Sequence, residues 1–539
     1  MRSLLAVIAA GVLAAPLAAG TAGAEGGALP RICAEELRHA ELMNPDLTLY
    51  PKNGVVILGN RYFPLRNSPA VWRMWDSKDP VFSTRFHSMM WLVPGLLSGL
   101  PAVNLVLQRE AASPDPGYAS GDVALRKSGW TSGALRLRMG TVACLYSATR
   151  DERLVPVMEG LVAANLDPHR YRGAPLSKVH NHATLANFAL LEAASVFGRP
   201  EWRDSAIDRF VRDAGDVFHP CGMSTEQSST YHLLNLNLWR RALDRLGAET
   251  DVGIDMGDRL HRAAVATWQL TRPDGVLDAI GVGHPAPVTA AQLGLSEDVV
   301  YPTRLMCPHL GWAANRTSWD DSATHYVLRF GPPRAAHGHV DRGSVTWFTQ
   351  GVAVFADRGM FDRTRDRRWR WAHSPEAHST FGARDMEWPG YFQVRADRGR
   401  GVDRYVVNTV RKEARMSREF VFSLGSAPAG ATMAVVDSGS STRAREWTQR
   451  WQLDEGWRPA RNPARDGYAA RHSASGLYLL GTCRSGRGQA VEVPMRVRAV
   501  ETYPAWRTVA PAYALECRAT GRDVRLRTQW KVTASPAAR

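Results

Sequence analysis

The sequence predicts an α+β multidomain protein, with a helical N-terminal region followed by a C-terminal antiparallel β-sandwich or stack of sheets. Two observations carry this. Up to about residue 310 apolar residues recur at spacings of three and four; beyond it the alternation becomes twofold. A length of 539 residues leaves room for both parts, at ~100–200 residues per domain.

The elements follow in order. Arg2 gives a short positive start, Leu4 to Ala19 is an apolar and small-residue run, and Ala22-Gly23-Ala24 offers a cleavage site. Residues 1–24 therefore read as a signal peptide, with the mature chain starting at Glu25 and exported. No later stretch holds ~18 consecutive apolar residues, so membrane insertion is not expected. Helical spacing is found over Gly133–Thr149, Glu152–Ala164, Asn181–Phe197, Glu201–Ala214, Ser229–Leu246 and Met256–Leu270. Asp204 and Ser229 are helix-start candidates. Short strands are expected at Thr324–Phe330, Ser344–Thr349, Val352–Ala356, Arg404–Val410, Glu419–Ser423, Thr432–Asp437, Leu477–Gly481, Val491–Val497, Tyr513–Arg518 and Val524–Trp530. Gln350-Gly351 reads as a hairpin turn.

Composition narrows the function. Hydrophobic residues make up 45% and charged residues 22%, which excludes wholesale disorder. The net charge of +15 favours an acidic partner, although a solvated cationic surface explains charge alone equally well. No block of five or six like charges occurs, so a nucleic-acid partner is not expected. The six cysteines are even in number, which export permits to pair, but no CxxC is present, so zinc-ribbon and thioredoxin readings fail. Cys483 and Cys517 both lie in strand-like segments, where they can pair or remain buried thiols.

Three clusters carry chemistry. In an extended segment His337, His339 and Asp341 project from one face, a donor set suited to zinc or a similar metal. Asp357 and His378 are further ligand candidates. Val179-His180-Asn181-His182 opens a long apolar helix, where Asn181 can act as the cap. Glu226-Gln227-Ser228-Ser229-Thr230-Tyr231-His232 opens another, where Tyr231 can equally be a core aromatic. Taken singly, the two helix-opening clusters read more readily as structural than as catalytic.

Together, with Asp357-Arg358-Gly359 and Ala377-His378-Ser379-Thr380, the motifs resemble those of the heparinase II/III-like polysaccharide lyases, a group related to alginate-type lyases. The resemblance covers roughly residues 130–239 and 330–380. It implies an incomplete (α/α) toroid over residues 25–309, a sheet domain over 310–539 and an active cleft between them. It also implies β-elimination at uronic acids, leaving 4,5-unsaturated ends. That reaction needs the C5 carboxylate neutralised, a base for the C5 proton and an acid for the departing O4. By resemblance, Asn181 and His337 hold the carboxylate, Tyr231 is base, acid or both, and His182 is the alternative base. A tyrosinate base needs its ordinary pKa of ~10 lowered, for which nearby histidines and arginines are a means. His339, Asp357 and His378 would hold a structural Zn²⁺. Glu226 joins Arg370 and Trp371 as candidates for substrate contact; an Arg- and Trp-rich loop suits carboxylates and sugar faces.

The sequence departs from the family where a second tyrosine usually follows the Asp-Pro-Gly turn. None lies between Asp357 and His378, which leaves the general acid open. His180 stands where a small residue is usual. Two other readings compete. One is a non-catalytic relative that binds acidic polysaccharide. The other is a 2-His-1-carboxylate oxygenase built on His339, Asp341 and His378, against which stand the export signal and the large helical region.

Overall fold

A computed structural model describes residues 30–536, apart from 44–46, 51–54, 59–60, 65–69, 74–79, 172–178, 247–252, 332–336, 384–392, 400, 411–413, 425–430, 462, 464–467 and 487–489. The expected signal peptide, residues 1–24, lies outside the described residues. The chain forms two compact units. The first holds residues 1–217, 237–257 and 363–366; the second holds 218–236, 258–362 and 367–539.

The first unit is built from helices. Ser132–Thr149 packs against Leu154–Leu166, Asn181–Phe197 and Pro80–Ser88, and Asn181–Phe197 against Pro200–Ala214. Ser132–Thr149 is buried over nearly its whole circumference, which explains why its apolar stripe is weak in the sequence. Thr131 caps it by accepting from the Ala134 N–H. Two helix starts differ from expectation. Asp204 lies inside Pro200–Ala214, because Pro200 with its fixed φ already opens that helix. Asn181 is the first helical residue rather than the cap; His180, with extended φ and ψ, holds the cap position.

In the second unit helix gives way to strand after Leu270. A five-stranded antiparallel sheet runs in the order Val352–Phe355, Ser344–Thr349, His325–Arg329, Trp312–Arg316, Leu305–Cys307. The Gln350-Gly351 turn is present, with φ of +54° and +76°, the left-handed pair a tight hairpin requires. A larger antiparallel sheet centres on two long strands, Thr432–Gln452 and Ala510–Thr533, paired along their length. The sequence pattern shows only Thr432–Asp437 of the first and Tyr513–Arg518 and Val524–Trp530 of the second. The polar run Ser438-Gly439-Ser440-Ser441 continues the first strand, with an irregularity in the pairing between Ser440 and Arg445.

The sheets share one core, in which Tyr326 stacks on Phe422 at 3.7 Å and Trp451 and Trp530 close on Phe355. Buried Asp403 accepts from the Tyr326 hydroxyl at 2.6 Å and pairs with Arg304 at 3.0 Å. The six cysteines form three disulfides, Cys33–Cys144, Cys221–Cys307 and Cys483–Cys517. No described helix is long and apolar enough to cross a membrane.

Candidate active site

Tyr231 belongs to the second unit and lies in the first turn of the helix Ser229–Leu246. Ser228 caps that helix: its hydroxyl accepts from the Tyr231 N–H at 3.2 Å and donates to the Val282 carbonyl at 2.7 Å. Ser229 ties the same turn to residues 278–280, exchanging backbone hydrogen bonds with Ile280 through its N–H and hydroxyl. Ser228 and Ser229 therefore serve to fix Tyr231 in place.

His337 arrives from the other side. Its ring lies flat on Tyr231, with centroids 3.4 Å apart and planes 7° from parallel. Its Nδ1 meets the Glu226 carboxylate at 2.5 Å, and its backbone N–H donates to the Glu226 carbonyl at 3.2 Å. Glu226 is fully buried, and its second oxygen accepts from Asn235 at 2.7 Å. The carboxylate thus fixes a proton on His337 Nδ1 and turns Nε2 outward. Glu226 is placed to position His337, not to touch a substrate. Asn235 was not singled out in the sequence. Its signal is the helix period, since it lies one turn beyond Tyr231, whose carbonyl also accepts from it.

Residues 280–283 brace both sides. The Val282 N–H donates to the His337 carbonyl at 2.8 Å. Gly281 has φ of +76°, and a Cβ there would come within 2.7 Å of the Gln227 carbonyl and 2.9 Å of that of His337. Only glycine fits between these backbones. His232 faces inward and is neutral: Nδ1 accepts from the Ser224 N–H, Nε2 donates to the Ala263 carbonyl, and burial lowers its pKa to about 4.

Beside this group His339, Asp357 and His378 come together, all buried, with one donor atom from each within 4.8 Å of the others. His378 Nδ1 meets Asp357 Oδ2 at 2.8 Å. Burial opposes charge on His378, but the Asp357 and Asp341 carboxylates favour it, and its pKa is raised above the ordinary imidazole value. Two imidazoles and a carboxylate in a field that attracts cations suit zinc. The expected Arg- and Trp-rich loop is instead a short helix, Arg367–Ala372. Arg370 is exposed on it, and Trp371 is half-buried against Tyr503. Trp369 stacks on His373, which in turn lies 4.3 Å from His339. His373 was not anticipated.

In the first unit Asn181 is buried and His182 half-buried at the start of their helix. His182 lines a cavity with His180, Tyr171, Arg170 and Asn165.

Residues 302–493 match the family described as heparinase II/III-like, C-terminal. No curated protein matches the chain. Among solved structures it is similar to a heparinase III, with TM-score 0.68 and 12% identity over 99% of this chain and 89% of that one. It is similar to a mutant of heparan sulfate lyase HepC from Pedobacter heparinus, with TM-score 0.58 and 14% identity over 99% and 88%. A heparinase III gene product with methylated lysines gives TM-score 0.60 and 16% identity over 93% and 84%. At such identities the likeness is one of fold.

Proposed function

We propose that this chain, which carries a heparinase II/III-like C-terminal domain, is a secreted polysaccharide lyase. It cleaves uronic-acid-containing acidic polysaccharide by β-elimination and leaves 4,5-unsaturated uronate ends. The observation that carries the reading is the stack of Tyr231 on His337, with Glu226 fixed behind it. In its doubly protonated form His337 donates from Nε2 to the C5 carboxylate and favours the enolate-like intermediate. Tyr231, beside it and as the tyrosinate, takes the C5 proton. The C5–H electrons become the C4=C5 double bond, the C4–O4 bond breaks, and O4 leaves with a proton. With no tyrosine between Asp357 and His378, we assign the return of that proton to Tyr231 as well. Asn181 and His182 keep the roles the family resemblance gives them, carboxylate ligand and alternative base. We assign His339, Asp357 and His378 a structural Zn²⁺, which supplies rigidity next to His337 and no chemical step. The N-terminal leader and three disulfides support export.

The test is ultraviolet absorbance of the conjugated unsaturated uronate while the mature protein meets a panel of uronic-acid polymers. A rise with one polymer is expected. Tight binding to a polymer with no rise would sink the lyase and leave a polysaccharide-binding protein.

A further inference from the structure

Two short segments of the second unit mirror each other in sequence: His219-Pro220-Cys221 and Cys307-Pro308-His309. The lyase chemistry uses neither. Their cysteines form a disulfide, with Cα atoms 5.5 Å apart. His219 Nδ1 lies 3.1 Å from Cys221 Sγ and 3.9 Å from Cys307 Sγ. The His309 ring centroid is 5.3 Å from that of His219. The Cys221 N–H donates to His219 Nδ1 at 3.3 Å, which puts the proton of the neutral ring on Nε2 and leaves Nδ1, the nitrogen next to the sulfurs, as the acceptor.

Backbone hydrogen bonds hold both segments alongside the disulfide. The His219 N–H donates to the Met223 carbonyl, and the Gly222 N–H returns to the His219 carbonyl. Gly222 has φ of +90°, and a Cβ there would sit 2.4 Å from the Arg262 carbonyl. On the other side the Leu310 and Gly311 N–H groups both return to the Cys307 carbonyl. Gly311 has φ of +72° and lies against Gly331, where a Cβ would overlap the Gly331 Cα. Both turns are held by backbone bonds at positions only glycine can take.

We infer that Cys221, Cys307 and His219, with His309 as fourth donor, form a zinc site when the disulfide is open. Two thiolates and two imidazoles are a preferred zinc donor set, and Zn–S of ~2.3 Å and Zn–N of ~2.0 Å put tetrahedral donors ~3.5–3.8 Å apart. The two His219-to-sulfur distances bracket that spacing. The redox step balances: a phosphine and water convert the disulfide to two thiols and a phosphine oxide. The divalent ion then displaces the two thiol protons. The oxidised chain offers no thiolate here, so metal binding at this site is gated by the disulfide.

The probe is Co²⁺, added to the full mature chain before and after phosphine reduction. Thiolate-to-cobalt charge transfer separates this site from the His339, Asp357 and His378 group, which has no sulfur. The reduced protein is expected to gain one equivalent of the charge-transfer band, the oxidised protein none. His219→Ala should weaken Co²⁺ binding by at least ~10-fold, and His309→Ala by less, while thiol titration still counts six. A reduced chain that shows no band, folded or not, overturns the inference. So does a band that His219→Ala leaves at full strength and affinity.

Discussion

In the proposed reaction Tyr231 takes one proton from C5 and returns it to O4. Tyr231→Phe keeps the ring and its stack on His337, so the melting temperature should stay within a degree or two while turnover falls by ~10²–10⁴. Parallel thermal melts and product assays check this. Glu226→Gln removes the carboxylate that holds the proton on His337 Nδ1. It should lower kcat by ~10–100-fold, read in product assays beside thermal melts. His232 gives a different signature. Its folded pKa of about 4 lies below the ~6.5 of an unfolded histidine, so between those values the unfolded chain binds the extra proton. Stability from this group is full above pH ~6.5 and is lost as pH falls towards about 4. Ring NMR signals of His232 should stay flat from pH 8 to 5 while exposed imidazoles titrate.

At the scale of elements, the site is a meeting of three segments: 226–231, 280–283 and 337–339. Gly281 is where they touch most closely. Gly281→Ala adds a Cβ at a positive φ against two carbonyls and should cost ~2 kcal/mol or more in denaturant melts. Because it pushes on the His337 backbone, kcat should fall further than stability alone accounts for. His339→Ala should release bound zinc and lower stability, since metal binding adds to folding free energy. Full zinc content in that variant, read by elemental analysis, would reject the ligand assignment. The motif order made this constellation legible in the sequence, because each segment keeps a helix-opening or turn signature. Residues 280–283 were not legible. They carry no reactive side chain, and their importance is steric, set by backbones distant in sequence.

For the whole molecule, disulfides and charge are the global terms. Cys33 and Cys144 are 111 residues apart, so their link constrains a long loop of the unfolded chain. Replacing both with alanine should lower stability by ~3–5 kcal/mol in the chain-entropy view. The surplus of 67 basic over 52 acidic residues is spread along the sequence, which favours a polyanion through a long-range field. The apparent KM for an acidic polymer should therefore rise several-fold between low salt and ~0.5 M salt, where the Debye length is shorter than ~8 Å. An unchanged KM would show that the charge plays no part in capture.

Periodicity alone determined the order of helix and strand, because an apolar face must repeat with the period of the element that buries it. It placed Asn181–Phe197, Ser229–Leu246 and Ser344–Thr349 at the bounds the structure shows. The same pattern shortened the two long strands, since a polar stretch inside a sheet is held by its neighbours and leaves no hydrophobic trace. The family resemblance singled out Tyr231, His337, Glu226 and the His339, Asp357 and His378 set. Only the tertiary structure decided what each of them does to the others. It buried Glu226 behind His337 and neutralised His232 between two backbone groups. It set Cys221 and Cys307 beside His219, although 86 residues separate the two cysteines. Such facts depend on distances between segments far apart in the chain, and a one-dimensional pattern does not contain those distances.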